Sequence, residues 1–360
     1  MTWLCSRDCA TQPANSFVSP LLEDIERTHP LLAKGTILVE IDIRKDGRIP
    51  ARLIHYKNTK GWARRFTIFL NPDHSLSIET QQGLARSYVH LKDWKRQSRN
   101  RLRLTYAWDA PARLGLLTLE CLETGRIDQA LFDAPVPLPV EDVKAIADNN
   151  DTCHIDQRVV SLSIANSIEP VGPSPSIAAG TMVETEHGLR PIDRLQLGDT
   201  VLTTNSGLQP IRWILRQDLP AVGSYRPIRL RAPYFGLQSD ITVSRNQRIM
   251  VSGAEAEYHF GQDAVLIEAQ ELLGHPSATL HAARFTTTYY QVLLDNHDCI
   301  QLNGTWSESL FVGNLARSPQ VLATSRLAEL PRSAMPVHND PIRPTLQPFE
   351  TQTLLESISA

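Results

Sequence analysis

Seven residues, Glu169-Pro-Val-Gly-Pro-Ser-Pro175, carry three prolines and one glycine, and neither a helix nor a central strand can run through them. Each proline lacks the N–H that a helix or ladder needs and fixes its own φ, which makes the segment an extended connector over 169–175. The chain must therefore close one core before residue 169 and another after residue 175. Its 360 residues and 42% hydrophobic content suffice for two cores of ordinary domain size.

Both sides of the connector are written in short apolar–polar alternations separated by turn residues. Before it, residues 36–43, 51–56, 66–70, 76–80, 86–91, 102–108, 114–122 and 130–132 predict strands, with Asn71-Pro-Asp-His74 and Glu123-Thr-Gly-Arg126 as turns. Residues 161–164 predict a closing strand. One helix is predicted over 139–148, where a proline and acidic residues occupy the first turn and Asn149-Asn-Asp151 ends it. Strands at this spacing predict an antiparallel sandwich over 33–168, preceded by a flexible lead-in over 1–32. The run Arg103-Leu-Thr-Tyr-Ala-Trp-Asp-Ala110 followed by Leu116-Leu-Thr-Leu-Glu120 resembles the central strands of concanavalin-like or laminin-G-like jelly rolls. Such sandwiches often bind sugars or Ca²⁺. The resemblance makes Trp62 and Trp94 candidates for stacking on a sugar ring, with core packing as the alternative. Asp42, Asp46, Asp73 and Asp109 are available carboxylates, but no Asp-x-Asp-x-Asp spacing specifies a metal.

After the connector several blocks stand in order. Ser176-Ile-Ala-Ala-Gly-Thr-Met-Val-Glu-Thr185 opens. Arg190-Pro-Ile-Asp-Arg-Leu-Gln-Leu-Gly-Asp-Thr-Val-Leu-Thr203 and Gln209-Pro-Ile-Arg-Trp-Ile214 follow, then Ile241-Thr-Val-Ser-Arg-Asn-Gln-Arg-Ile-Met-Val251. Tyr290-Gln-Val-Leu-Leu-Asp-Asn-His-Asp-Cys-Ile300 and Gly304-Thr-Trp-Ser-Glu-Ser-Leu-Phe311 close the series. This order resembles the Hint domain, the all-β module shared by Hedgehog C-terminal regions and inteins, over 176–315. A C-terminal extension over 316–360 is left, with a helix predicted over 318–329 and a frayed end. The fold expected is all-β: a jelly-roll-like sandwich, a proline-rich connector and a Hint-type fold, with few short helices.

The resemblance implies a chemistry. In Hint domains the first residue of the opening block attacks the preceding carbonyl, here that of Pro175, and turns an amide into an ester or thioester. A His of the middle block protonates the departing nitrogen, and a Thr or Ser three residues before it helps hold the peptide. Mapped onto this chain, Ser176 takes the nucleophile position, Ser244 the hydroxyl position and Gln247 the His position. The family's usual Cys is thus a Ser, whose hydroxyl needs a base that a thiol hardly requires. Gln247 cannot donate a proton near neutral pH, and loss of a positioned acid costs on the order of 10²–10⁴-fold in rate. Asp295-Asn-His297 offers a replacement, with His297 as base and Asp295 orienting it. The alternative is that both are solvated or capping groups.

The expected function is that of a degenerate Hint-domain protein serving as a structural or binding module. The alternatives are slow, single-turnover self-cleavage at Pro175–Ser176 by an N-to-O acyl shift, and carbohydrate binding through the sandwich. His338-Asn339 has the pair that ends inteins, but Asp340 follows it and cannot accept an acyl group, so splicing is not expected. No cofactor is expected. Of the five cysteines, Cys5 and Cys9 have half of a metal-site spacing with no second pair, and a flexible end is the alternative. The basic run 92–103 reads as a solvated loop, and a net charge of −3 does not call for nucleic acid. No apolar run reaches the roughly 20 residues that span a bilayer. Without a signal-peptide pattern, the expected location is cytoplasmic or reached by export without a cleaved leader. Any partner would be a glycan or protein ligand of the sandwich.

Overall fold

A computed structural model describes residues 3–10, 15–45, 47–91, 101–148, 151–282 and 284–359. The chain divides into two compact units, Met1–Gly172 and Pro173–Ala360, so the break falls inside the proline-rich connector. Helices are few and short, and among the described residues none is long and apolar enough to cross a membrane.

The first unit is an antiparallel β-sandwich. Its larger sheet has the order Ile127–Asp133, Leu114–Cys121, Arg101–Asp109, Lys34–Asp42, Val159–Ala165, Trp3–Asp8, Asn15–Val18. The second sheet runs Cys153–Ile155, Ala51–Asn58, Arg64–Leu70, Leu76–Gln82, Ala85–Leu91. Alternation turns Ile37, Val39 and Ile41 inward from one sheet and Phe66 and Ile68 from the other, into one continuous core. Phe66 and Tyr106 meet edge to face across the two sheets, with centroids 5.8 Å apart. Gly35 is needed where it stands, because a Cβ there would lie 2.6 Å from both the Trp108 ring and the Ala165 carbonyl. The helix Val140–Asp148 buries Val143 and Ile146 against this core.

Residues 3–8, expected as part of a loose lead-in, instead form a strand paired with Val159–Ala165 and buried along most of its length. Cys5 points into the core, and burial pushes its thiol up to about 12. Neither a flexible end nor half of a metal site describes it, and among the described residues no group of three or more His, Cys, Asp or Glu is placed to hold a metal ion.

The second unit is built from two further sheets. One runs Trp213–Pro220, Thr286–Leu293, Ile177–Ala178, Ile241–Ser244, Pro227–Leu230, Ala278–Leu280. The other runs Gly188–Pro191, Met182–Thr185, Thr200–Thr203, Cys299–Leu302, Thr305–Glu308, Arg248–Ser252, Ala264–Glu268, with Gly207–Pro210 added on Thr200–Thr203. The Leu-x-x-Gly-Asp turn is held by Asp199, whose carboxylate accepts from the Gln196 N–H and from Arg190, both at 2.9 Å. Gly198 at φ 89° supplies the left-handed turn residue. The extension departs from the expected pattern in two ways. Only Pro319–Ala323 of the 318–329 segment is α-helical. The end, expected to fray, forms the helix Pro348–Ser359, which sinks Leu354 and Leu355 into the core of the unit. Thr351, Leu354 and Leu355, at i, i+3 and i+4, form the buried face by which it docks.

Candidate functional site

Ser176 immediately precedes the two-residue strand Ile177–Ala178, which is inserted between the strands Ile241–Ser244 and Thr286–Leu293. Its backbone is gripped from both sides. The Ser176 N–H donates to the Tyr290 carbonyl at 3.3 Å, and the Ser244 N–H donates to the Ser176 carbonyl at 2.7 Å. The residue is 6% exposed. Ser244 thus reaches Ser176 through its main chain.

Gln247, three residues past Ser244 and 2% exposed, turns its side chain back onto this strand. The Ser176 hydroxyl donates to the Gln247 side-chain oxygen. The orientation of the amide follows from the network, since its nitrogen faces acceptors: the Ser307 hydroxyl at 2.7 Å and the Glu308 carbonyl at 2.9 Å. Gln291 donates to the same Gln247 oxygen at 3.3 Å and to the Glu308 carbonyl at 3.1 Å. The Gln247 amide is therefore fully engaged, and the sequence positions Ser176, Ser244 and Gln247 come together in one buried cluster with Gln291.

His297 and Asp295 part company. Asp295 forms a bidentate pair with Arg212, at 2.8 and 2.5 Å, with both side chains about half exposed. His297 is buried, and its Nδ1 accepts the Ile342 N–H at 3.0 Å. That acceptor role leaves the ring proton on Nε2, which lies 3.2 Å from the Glu308 carboxylate. Phe311 packs on the ring with centroids 4.9 Å apart. Glu308 also pairs with Arg248 at 3.1 Å. Burial would raise its carboxyl pKa, but the Arg248 guanidinium and His297 bring it below the ordinary value. The carboxylate beside His297 is thus Glu308, with Asp295 turned to solvent. His338 is buried nearby, its Nε2 on the Leu294 carbonyl at 3.2 Å, while Asn339 accepts from Arg317.

These contacts define what the junction can do chemically. An acyl shift requires Ser176 Oγ to lose a proton, attack the Pro175 carbonyl carbon and expel the Ser176 nitrogen, which must then gain a proton. The hydroxyl points its proton at an amide oxygen, which is not a base. The nitrogen faces a carbonyl, which is an acceptor and not a donor. Among the described residues, no group hydrogen-bonded to Ser176 exchanges protons near neutral pH. Cys299, in the closing block, is buried and its thiol is driven far up by desolvation.

Glu308 and Gln291 escaped the sequence reading. Gln291 carried a usable signal: in Thr286–Leu293 the buried phase of the alternation holds Thr287, Tyr289, Gln291 and Leu293, and an amide in that phase demands partners.

In the first unit Trp62 is 52% exposed. Its Nε1–H donates to Gln82 at 3.2 Å, and the Arg64 guanidinium sits 5.0 Å from the ring centroid. Behind it, Asp142 accepts from the Tyr56 hydroxyl at 2.5 Å and pairs with Arg64 at 3.1 Å. Trp94 and Asp46 lie outside the described residues. The other loop carboxylates are separately engaged, Asp42 with Arg44, Asp73 with Ser75 and Asp109 with the Ala112 N–H.

Residues 175–314 match a family model described as Hint domain. No curated protein matches the chain. Among solved structures, the chain is similar to a bacterial intein-like domain from Clostridium thermocellum, at 14% identity over 38% of this chain and 99% of that one, with a TM-score of 0.28. It is also similar to the CBM40 domain of the Ruminococcus gnavus IT-sialidase, at 12% identity over 46% and 88%, with a TM-score of 0.29. A third likeness is to the LG1-3 region of the laminin alpha2 chain, at 10% identity over 87% and 56%, with a TM-score of 0.26.

Proposed function

With residues 175–314 matching a Hint domain family model, we propose that this is a Hint domain that no longer processes its own junction and serves as a structural or binding module. One observation carries the reading: the hydroxyl in the nucleophile position is hydrogen-bonded to the amide of Gln247, where proton transfer requires an acid or base. His297, the nearest alternative in the sequence, has Nδ1 committed to Ile342 and Nε2 beside Glu308. The Pro175–Ser176 bond then stays intact. The test is to follow the intact mass of the full chain over several days at pH 7, with and without hydroxylamine, which cleaves esters. An unchanged mass under both conditions supports the reading. A fragment beginning at Ser176 that disappears in Ser176→Ala would establish slow N-to-O cleavage in its place.

A second reading concerns the sandwich. The half-exposed Trp62 ring, steadied by Gln82 and backed by a cation, supports a sugar-stacking platform, because an aromatic face and polar neighbours are what a pyranose ring needs. Binding to a glycan array that vanishes in Trp62→Ala, with the thermal unfolding midpoint unchanged, would support it. Equal binding by both proteins would remove Trp62 from the site.

A further inference from the structure

The second unit contains a cavity of about 870 Å³ whose walls include Met250 and Trp306, the turn Tyr234–Gly236, and the C-terminal helix Pro348–Ser359. This volume falls in the range of sites for small organic molecules. Met250 and Trp306 sit on neighbouring strands, since Ile249 is paired with Ser307, and together they form an apolar floor.

Another part of the lining is built with strain. Phe235 lines the cavity at φ 54° and ψ 28°, a left-handed conformation that costs a bulky residue energy and is found where the surroundings impose it. The imposition is visible. Gly236 is pressed onto Gly304, where a Cβ on Gly304 would come 2.3 Å from the Gly236 carbonyl oxygen. The Gln238 N–H also donates to the Asn303 carbonyl at 3.0 Å. An aromatic residue is thus held with a fixed backbone in the cavity lining.

The charge pattern narrows the ligand. Among the described residues that line the cavity, Glu255 is the one carboxylate and none is Lys or Arg; His275 also lines it, with Nδ1 on the Ser277 hydroxyl at 2.8 Å and its ring edge-on to Tyr234. One Glu255 oxygen accepts the Ser357 hydroxyl at 2.6 Å, with the His259 ring at 3.7 Å. Aromatic faces at Tyr234, Phe235 and Trp306 attract cations, and a carboxylate at the rim acts in the same direction. We propose that this cavity binds a small apolar organic cation, an amine or quaternary ammonium attached to a flat or bulky hydrocarbon, with the hydrocarbon on Met250 and Trp306 and the charge toward Glu255.

The test is calorimetric titration of the full chain with three probes that share one ring system: (1-naphthylmethyl)trimethylammonium, neutral 1-naphthalenemethanol and 1-naphthalenesulfonate. The cation is expected to bind at least about tenfold more tightly than the sulfonate. Glu255→Gln, which keeps an acceptor for Ser357, is expected to remove most of that preference and leave the neutral probe unaffected. Ala254→Trp, a change at an exposed lining position, fills the mouth and is expected to abolish binding of the cation without lowering the unfolding midpoint. Absence of binding at millimolar cation, equal affinity for cation and sulfonate, or binding untouched by Ala254→Trp would each overturn the proposal.

Discussion

Ser176 and Gln247 are joined by a hydrogen bond in which the hydroxyl donates and the amide oxygen accepts. The bond satisfies a buried hydroxyl, and it also directs the one transferable proton of the junction at a group that cannot take it. The backbone around Ser176 is otherwise held on both edges by Tyr290 and Ser244. A Hint-type scaffold with ordered main-chain contacts, in which no proton carrier among the described residues is hydrogen-bonded to Ser176, is therefore a concrete target for restoration.

The first prediction is a gain of activity. Gln247→His combined with Ser176→Cys replaces amide and hydroxyl by imidazole and thiol, the pair that acyl-shift chemistry uses. Cleavage between 175 and 176, trapped with hydroxylamine and followed by mass spectrometry, is expected to rise on the order of 10²–10⁴-fold over the parent. Should the double variant stay as inert as the parent, the amide at 247 is not what keeps the bond intact.

A second prediction concerns stability. Removing the Gln247 amide takes the acceptor from the buried Ser176 hydroxyl and one partner each from the Ser307 hydroxyl, which keeps the Arg248 carbonyl, and the Gln291 amide, which keeps the Glu308 carbonyl. Each unsatisfied buried group costs about 1–3 kcal/mol. Gln247→Ala is expected to lose about 3 kcal/mol in urea unfolding, and Ser176→Ala about 1 kcal/mol. Equal losses from the two variants would mean that the network does not centre on residue 247.

The sandwich gives a contrast between two neighbouring polar clusters. Asp142 is buried, and holds Tyr56 and Arg64; Asp142→Ala takes the acceptor from the buried Tyr56 hydroxyl and one of two carboxylates from Arg64, which keeps Glu141, and is expected to cost about 1–3 kcal/mol. Trp62 is half exposed, and Trp62→Ala is expected to stay within about 0.5 kcal/mol of the parent. Unfolding monitored for the first unit checks both, and a large loss from Trp62→Ala would make it a packing residue and weaken the sugar-platform reading.

The strands were legible where period-2 alternation buries one face, as in Ala85–Leu91, where Ser87, Val89 and Leu91 are buried and their neighbours are not, because the pattern itself states which side is wet. Trp3–Asp8 was not, because its sequence is polar after Leu4 and Cys5. Its burial comes from Val159–Ala165, more than a hundred and fifty residues away in sequence. At the site, the opening block and the middle block placed Ser176 beside Ser244 and Gln247, since strand pairing fixes their register. The pairing of Asp295 with His297 failed to materialise because both follow the end of Thr286–Leu293, in a turn where no periodicity sets side-chain direction. Arg212, from far back in the chain, and Glu308, at the end of the next hairpin, then claimed one each.

The last prediction is a pH profile for the second unit. His338 is held below its ordinary value of 6.5 by burial and by His297. It is buried neutral, so the unfolded chain binds its proton more readily. Its contribution to stability is whole above pH 6.5 and falls as the pH drops below that value. Glu308 is held below its ordinary value of 4.5, against the pull of burial, by Arg248 and His297. Its contribution is whole above pH 4.5 and is lost as the pH falls through the lowered value in the folded state. Stability should therefore decline toward acid in two stages, the first beginning near pH 6.5 and the second below pH 4.5. His338→Phe should flatten the first stage and leave the second, and Glu308→Gln should lower stability at neutral pH and flatten the second. Thermal unfolding of the three proteins across this range is the measurement. A first stage that persists unchanged in His338→Phe would assign that titration to another group.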